Sequence, residues 1–285
     1  MEGQPAASGG TDPVSGGAAY RHSGECVFPY DPYYLGDDLL VPPGSEGHPL
    51  GTNQMGCDIL SMILHGSRAS LTIGIVSALI SGLIGTLLGA FAGYYGGVLD
   101  KITSEIINIF LMIPHLFFLV LIIVSMFGSN MFNVMLVIGL TSWPSNARMM
   151  RVQAMSLKER TFIKGAVVMG ESRIRILFKY IIPNGLFPVI ANTTMGVAKA
   201  FLTEASLSFL GLGDPNVVSW GQMVYDGKAY LQTGWWISTL PGLSIMLIVV
   251  IFYMIGDGLN YALSPRMKSC EGGKQVVAGS GEPVR

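Results

Sequence analysis

The sequence predicts an all-α, polytopic transmembrane helix bundle, and three observations predict it. Half of the 285 residues are hydrophobic and 12% are charged, about half the charged share of a typical soluble domain. Four long stretches carry no charged residue at all: 69–99, 106–147, 180–198 and 229–256. The basic residues that remain gather in one loop, which is how a membrane protein marks its cytoplasmic side.

The elements follow in order. Residues 1–19 are rich in Gly, Ala, Ser and Pro with almost no large apolar side chain, a composition too poor in burial to order itself, and read as a disordered leader without the basic start and apolar core of a secretory signal. Residues 20–68 read as an irregular, extracytoplasmic segment. A membrane-crossing helix needs about 20 apolar residues, and five spans fit near 71–95, 106–126, 132–149, 184–206 and 239–262. The long second stretch divides at Gly128, Ser129, Asn130 and Asn133. Together residues 69–265 make one membrane domain, whose loop 150–183 is followed by a span entered at Pro183. Residues 266–285 form a tail.

Charge sets the orientation. Between Arg148 and Lys179 eight basic residues face only Glu159 and Glu171, which puts that loop inside. The segment from Glu204 to Thr239 has three carboxylates against Lys228, and residues 1–70 have eight against Arg21 and Arg68, which puts both outside. The C-terminal tail, with Arg266 and Lys268, then lies in the cytoplasm. This arrangement requires an acidic 70-residue segment to be exported with no span before it, so a first span is expected upstream, or an unusual export route.

Several function classes are excluded by what is missing. A net charge of -1 with long uncharged stretches argues against nucleic-acid binding. Cys26, Cys57 and Cys270 have no metal-ligand spacing; Cys26 and Cys57 pair only if both face an oxidising compartment, and unpaired thiols are the simpler reading. No G-x-x-x-x-G-K-[ST] occurs to cradle ATP phosphates, and neither H-E-x-x-H nor G-x-S-x-G supports an intramembrane hydrolase. His115 beside Pro114 lacks a second ligand at helical spacing, and the sixteen methionines are ordinary apolar fillers.

Within the spans, Ser77, Ser81, Gly85, Gly89, Gly93 and Gly97 recur at every fourth position. Such a seam lets a neighbouring helix approach closely, as fixed packing or as a surface that slides during alternating access. Lys199 lies roughly 22 Å of helical rise beyond Asn184. Its ammonium is explained equally by function and by snorkelling to the interface.

Four blocks carry a resemblance. H-P-L-G-T-N-Q-M-G-C-D-I-L-S runs from His48 to Ser61, followed by G-S-R-A-S-L from Gly66; Lys164-Gly165-Ala166 precedes Gly170 and then Tyr180 to Pro183; E-A-S-L-S-F-L-G-L-G runs from Glu204 to Gly213, with S-W-G from Ser219; and Pro241-Gly242 precedes Gly256-Asp257 and Ser264-Pro265-Arg266. Over roughly residues 41–266 the chain resembles the second permease subunit of dipeptide, oligopeptide and nickel ABC importers. It departs at Asn53, Cys57 and Met62, where that family usually has Asp, Arg and Arg, at Lys164 and Gly165 in place of Glu and Ala, and at Ser264 in place of Asp. The family has six spans, and the one not found here is its first, where topology also leaves a gap.

The resemblance implies the type I ABC importer permease fold and a transport subunit that is not an enzyme, located in the cell membrane. Its implied partners are a second permease, two ATP-binding cassette subunits that use ATP and Mg, and an extracellular or periplasmic solute-binding protein; this chain itself binds no cofactor and no metal. The ATPase-coupling residues would be Lys164, Gly165, Ala166, Gly170 and Pro183, in a short helix, a turn and a second helix, with Arg151, Arg160, Arg173 and Arg175 solvated or meeting acidic groups of the ATPase. Lys199, Glu204 and Trp220 are candidates for lining the translocation pathway, and residues 210–238 for an outer loop that partly re-enters its mouth. Peptides are the expected cargo. Nickel or another small solute, or a secondary transporter or channel without an ATPase, are the alternatives.

Overall fold

The computed structural model describes residues 33, 36–112, 126, 128 and 130–263. The expectations for the leader, for Cys26, Cys270, Pro114 and His115, for most of the second span and for the C-terminal tail lie outside the described residues. The chain divides into two compact units, residues 1–65 and 66–285.

In the first unit the H-P-L-G-T block is a helix-starting loop. The Thr52 hydroxyl accepts from the Val41 amide at 2.9 Å and donates to the Asp38 carbonyl at 2.6 Å. The Asn53 carbonyl oxygen accepts from the amides of Met55 (2.8 Å) and Cys57 (2.9 Å), an Asx-turn for which an asparagine oxygen serves as well as a carboxylate. Asp58 then caps the first helix, accepting from the Ser61 amide and hydroxyl, both at 2.8 Å, while its other oxygen lies 3.0 Å from His48 Nδ1. Helix α1 (Ile59–Tyr95) therefore begins well before the first uncharged stretch, so residues 59–68 are helical where an irregular segment was expected. Charged residues end an apolar stretch; they do not end a helix.

In the second unit α1 stops at a two-glycine turn, Gly96 at φ 69° and Gly97 at φ 62°, backbone that glycine adopts without strain. Then come α2 (Gly97–Met112), α3 (Met131–Lys158), α4 (Thr161–Val168) and α5 (Arg173–Ile176). A π turn (Leu177–Ile181) feeds directly into α6 (Ile182–Phe209). Last are α7 (Trp220–Gly227), a 3₁₀ turn (Lys228–Tyr230) and α8 (Trp236–Leu263).

Three helical stretches among the described residues, Ile59–Tyr95, Arg173–Phe209 and Trp236–Ala262, are long and apolar enough to cross a membrane. Five were expected. Part of the difference is α2, whose continuation lies outside the described residues. The rest is α3, which is long enough at 28 residues but carries Ser142, Ser145, Asn146 and Arg148 about its middle. Asn146 is buried in the bundle and Ser145 partly so, and composition counts both against the helix as if they met lipid.

The seam of small residues on α1 packs against α3. The Ser77 hydroxyl donates to the Met135 carbonyl at 3.0 Å, and the Asn146 amide donates to the Ser81 hydroxyl at 3.0 Å. A β-carbon on Gly85 would stand 2.5 Å from Asn146 Cβ, one on Gly89 would stand 2.9 Å from Met150 Cβ and closer still to the Ala147 carbonyl, and one on Gly93 would meet the Arg151 carbonyl. Gly97 leaves the series, because it belongs to the turn. Another face of α1 receives α6, where Gly74 and Gly82 leave room for Phe201 and Thr193. Without a hydrophobic force between helices in lipid, close backbone approach of this kind supplies the packing attraction. Leu243, Met246, Leu247 and Met254 of α8 are exposed, as suits a helix whose outer solvent is hydrocarbon.

Candidate functional site

The segment between α3 and α6 is an apolar hook held from behind. Ile163, Ala166, Ile176, Leu177 and Ile181 are buried in one cluster with Ala90 and Tyr94 of α1, Met150 and Ala154 of α3 and Val189 of α6. The outer side carries Val168 (87% exposed), Met169 (77%) and Ile174 (62%). Between them Gly170 turns the chain at φ 82°, and the Glu171 amide bonds back to the Ala166 carbonyl at 3.1 Å. The Ser172 hydroxyl accepts from the Arg175 amide at 3.4 Å to start α5.

Pro183 has no N–H to return to the carbonyl four residues back. The π turn just before it shifts the pairing, with the Ile182 amide reaching Leu177, and the Asn184 side chain takes the Tyr180 carbonyl at 2.6 Å. The junction between this segment and α6 is thus a defined corner.

Each residue expected to couple has its place here, though not always facing outward. Gly165 is exposed, and a β-carbon there would meet nothing within 4 Å. Ala166 is buried at 2% and faces the bundle, so its small size serves internal packing where contact with an outside partner was expected. Lys164 bonds Glu159 at 2.9 Å on the surface, and this holds the Glu159 carboxyl below its ordinary range. Arg175 lies 3.6 Å from Glu171.

Arg151 is a correction. It is neither solvated nor waiting for a partner, because its guanidinium clamps Asp100 of α2 with two hydrogen bonds, the Nη2–Oδ2 one at 2.8 Å. One turn away Arg148 Nη2 donates to Asn108 at 2.9 Å. The hydrogen bond from Arg151, more than its charge, holds the Asp100 carboxyl below the ordinary range and lifts the guanidinium above its own. A carboxylate with a depressed pKa gives its stability above its unfolded value and loses it as pH falls through the folded one. Asp100→Asn is therefore expected to lower the unfolding midpoint of the detergent-solubilised protein by a constant amount from pH 7 to about pH 5, equivalent to about 1 kcal/mol. The gap should close at pH values below about 4, and thermal unfolding at stepped pH checks it.

The block from Glu204 to Gly221 is a brace. Glu204, 4% exposed, accepts with one carboxyl oxygen from Ser208 (2.8 Å) and from Ser219 (2.9 Å). Ser219 also caps α7, accepting from the Gln222 amide at 3.2 Å. The end of α6 and the start of α7 are thereby tied through one oxygen. A β-carbon on Gly221 would stand 2.8 Å from Ala205 Cα, which explains the glycine. Trp220 is 5% exposed; its ring stacks on Phe201 with centroids 6.2 Å apart, and its amide donates to Ser70 of α1 at 3.2 Å. Asp214, in the loop between, accepts from the Met131 amide at the start of α3 at 3.1 Å. On α7 burial raises the Asp226 carboxyl, partly offset by the Gln222 amide, 3.1 Å away. Trp236 is buried and Trp235 is half exposed.

A third group went unread in the sequence. Asn146 of α3, 3% exposed, donates to Ser81 of α1 and accepts from Asn192 at 2.7 Å and Thr193 at 3.3 Å, both on α6. Asn192 also reaches the Ser145 hydroxyl at 3.2 Å. Ser81, Ser145, Asn146 and Asn192 border a cavity of about 50 Å³, and Lys199 lies at its edge. The available signal was two amides, Asn146 and Asn192, inside or beside uncharged stretches, because an amide in hydrocarbon is costly unless another amide or hydroxyl answers it.

Residues 85–269 match the family described as binding-protein-dependent transport system inner membrane component. The chain belongs to that family. This permease is 39% identical to the dipeptide transport system permease protein of Haemophilus influenzae over 249 residues, covering 85% of this chain and 84% of that one. It is 40% identical to the corresponding protein of Escherichia coli K12, covering 85% and 83%. It is 41% identical to the oligopeptide transport system permease protein of Salmonella typhimurium, covering 79% and 75%. Its fold matches a chain of the MetNI methionine ABC transporter in an inward-facing conformation, with TM-score 0.55 and 21% identity, over 71% of this chain and 96% of that one. The permease therefore has the type I importer fold that the sequence predicted, and it is a multi-pass membrane protein. The hook, the brace and the amide cluster all lie wholly or largely within residues 85–269, in the part shared with the family.

Proposed function

We propose that this permease is the second membrane subunit of an ATP-driven importer of di- or oligopeptides, and that its 150–183 loop docks in a cleft of a separate ATPase. A second permease completes the translocation pathway, two ATP-binding cassette subunits hydrolyse ATP with Mg, and a solute-binding protein delivers cargo from outside. The loop and the C-terminal tail face the cytoplasm, as the basic residues from Arg148 to Lys179 imply. The peptide cargo is inferred from the relatives named above, with dipeptides and oligopeptides in their names.

The observation that carries the coupling reading is the hook. Its apex presents Val168 and Met169 almost fully exposed, on a base whose other side is buried in three helices. An apolar tip on a rigid base costs stability in water and transmits force to whatever covers it. Gly170→Trp is a poor probe, because any side chain at φ 82° strains the turn itself. Val168→Asp is a clean one, since the side chain touches little of its own chain. It is expected to leave the permease folded and inserted, to weaken ATPase attachment by roughly tenfold or more, about the loss of 1.4 kcal/mol or more, and to uncouple ATP hydrolysis from uptake. Co-purification of the ATPase and ATP-driven uptake in proteoliposomes check it. Normal attachment with normal uptake would remove the hook as the coupling element.

A further inference from the structure

Lys199 is the only Lys or Arg between Lys179 and Lys228. It is exposed on α6, two helical turns from Asn192 on the same face, and it borders the cavity lined by Ser81, Ser142, Ser145 and Asn146. Among the described residues no carboxylate sits within ion-pair distance of it. The nearest acid along α6, Glu204, is committed to Ser208 and Ser219. An ammonium within a spanning helix is tolerated when it faces a watery interior or a counter-charge.

The geometry points to Lys199 and the Ser145 hydroxyl, which Asn192 holds in place by donating to it, as a subsite for the carboxylate of the transported peptide, a reading that rests on the peptide importer proposed above. The cavity's polar groups are four serine hydroxyls and two amides set among Ala78, Ile138 and Ala200, and its one charged neighbour is the cation Lys199, so it favours an anionic group; at about 50 Å³ it takes a headgroup and no bulky side chain. Every peptide, whatever its sequence, ends in one carboxylate. A permease that must pass many peptides without reading their side chains can hold that group through a charge-assisted hydrogen bond.

The test uses the complete transporter in proteoliposomes, comparing uptake of radiolabelled dialanine with that of its C-terminal amide. The same binding protein is present in every arm, so its own preference cancels when ratios are compared between variants. Lys199→Met, an uncharged chain of similar length at an exposed position, is expected to cut dialanine uptake roughly tenfold while changing uptake of the amide little, so that the acid-to-amide ratio collapses. Lys199→Arg should restore most of the ratio. The amount of assembled complex is measured in each preparation. Equal losses for both peptides, or an unchanged ratio, would overturn the subsite and leave Lys199 as an interfacial anchor. If the unmodified transporter moved neither peptide, the peptide reading itself would fail and the subsite with it.

Discussion

Gly89→Val is expected to abolish the assembled permease. A β-carbon at this position would already overlap the Ala147 carbonyl of α3 and press on Met150 at 2.9 Å, and both residues are fully buried. Two branched methyls make relief by a local rotation impossible, so α1 and α3 must separate. Separation forfeits dispersion contacts along a seam that runs from Ser77 to Gly93 and stretches the Ser77–Met135 and Ser81–Asn146 hydrogen bonds together. Overpacking at one site costs about 1–3 kcal/mol; an obstacle against the Ala147 carbonyl, a backbone group that cannot swing aside, exceeds that range. Gly242→Ala is the control, because a β-carbon there meets nothing within 4 Å. Size-exclusion profiles of the detergent-solubilised variants decide the matter. A monodisperse Gly89→Val protein, matching Gly242→Ala, would mean that the α1–α3 contact opens readily and that the seam is a sliding surface.

That seam also shows what the sequence could and could not tell. Spacing of four along one helix announces a close neighbour, and the neighbour is there. Which helix it is depends on side chains of α3 that read as a broken span, since Asn146 and Ser145 look out of place until Ser81 and Asn192 answer them. Helix ends were misjudged wherever charge was used to place them, at Ile59 and at Lys158. The hook was legible because Gly170 and Pro183 are backbone constraints, and backbone constraints survive in the sequence as residue types. Which way Ala166 faces and what Arg151 binds are products of tertiary packing, and no local pattern encodes them. The opening block was recognisable as a motif, but its work as a cap on α1 emerged only when Asp58 and Ser61 were placed.

Glu204→Ala and Glu204→Gln are expected to differ sharply, and the difference separates a brace from a pathway residue. One oxygen of Glu204 takes the hydroxyls of both Ser208 and Ser219. Alanine removes that acceptor, leaves both hydroxyls without it and opens a void beside Gly221, whose β-position lies 3.2 Å from the carboxyl oxygen. Losing a buried acceptor costs about 1–3 kcal/mol, and the cavity adds to it. The end of α6 would come loose from α7, and with α7 goes Trp220, which ties this corner to Ser70 of α1. Most of the Glu204→Ala protein should therefore fail to assemble or unfold at much lower temperature. Glutamine keeps a carbonyl oxygen where both serines donate, in a side chain of nearly the same volume, so Glu204→Gln should assemble normally. Its uptake is the deciding measurement. Near-normal ATP-driven uptake makes Glu204 an acceptor that holds the α6–α7 corner together, whereas normal assembly with lost uptake would show that transport needs the negative charge itself and would place Glu204 in the path of the cargo.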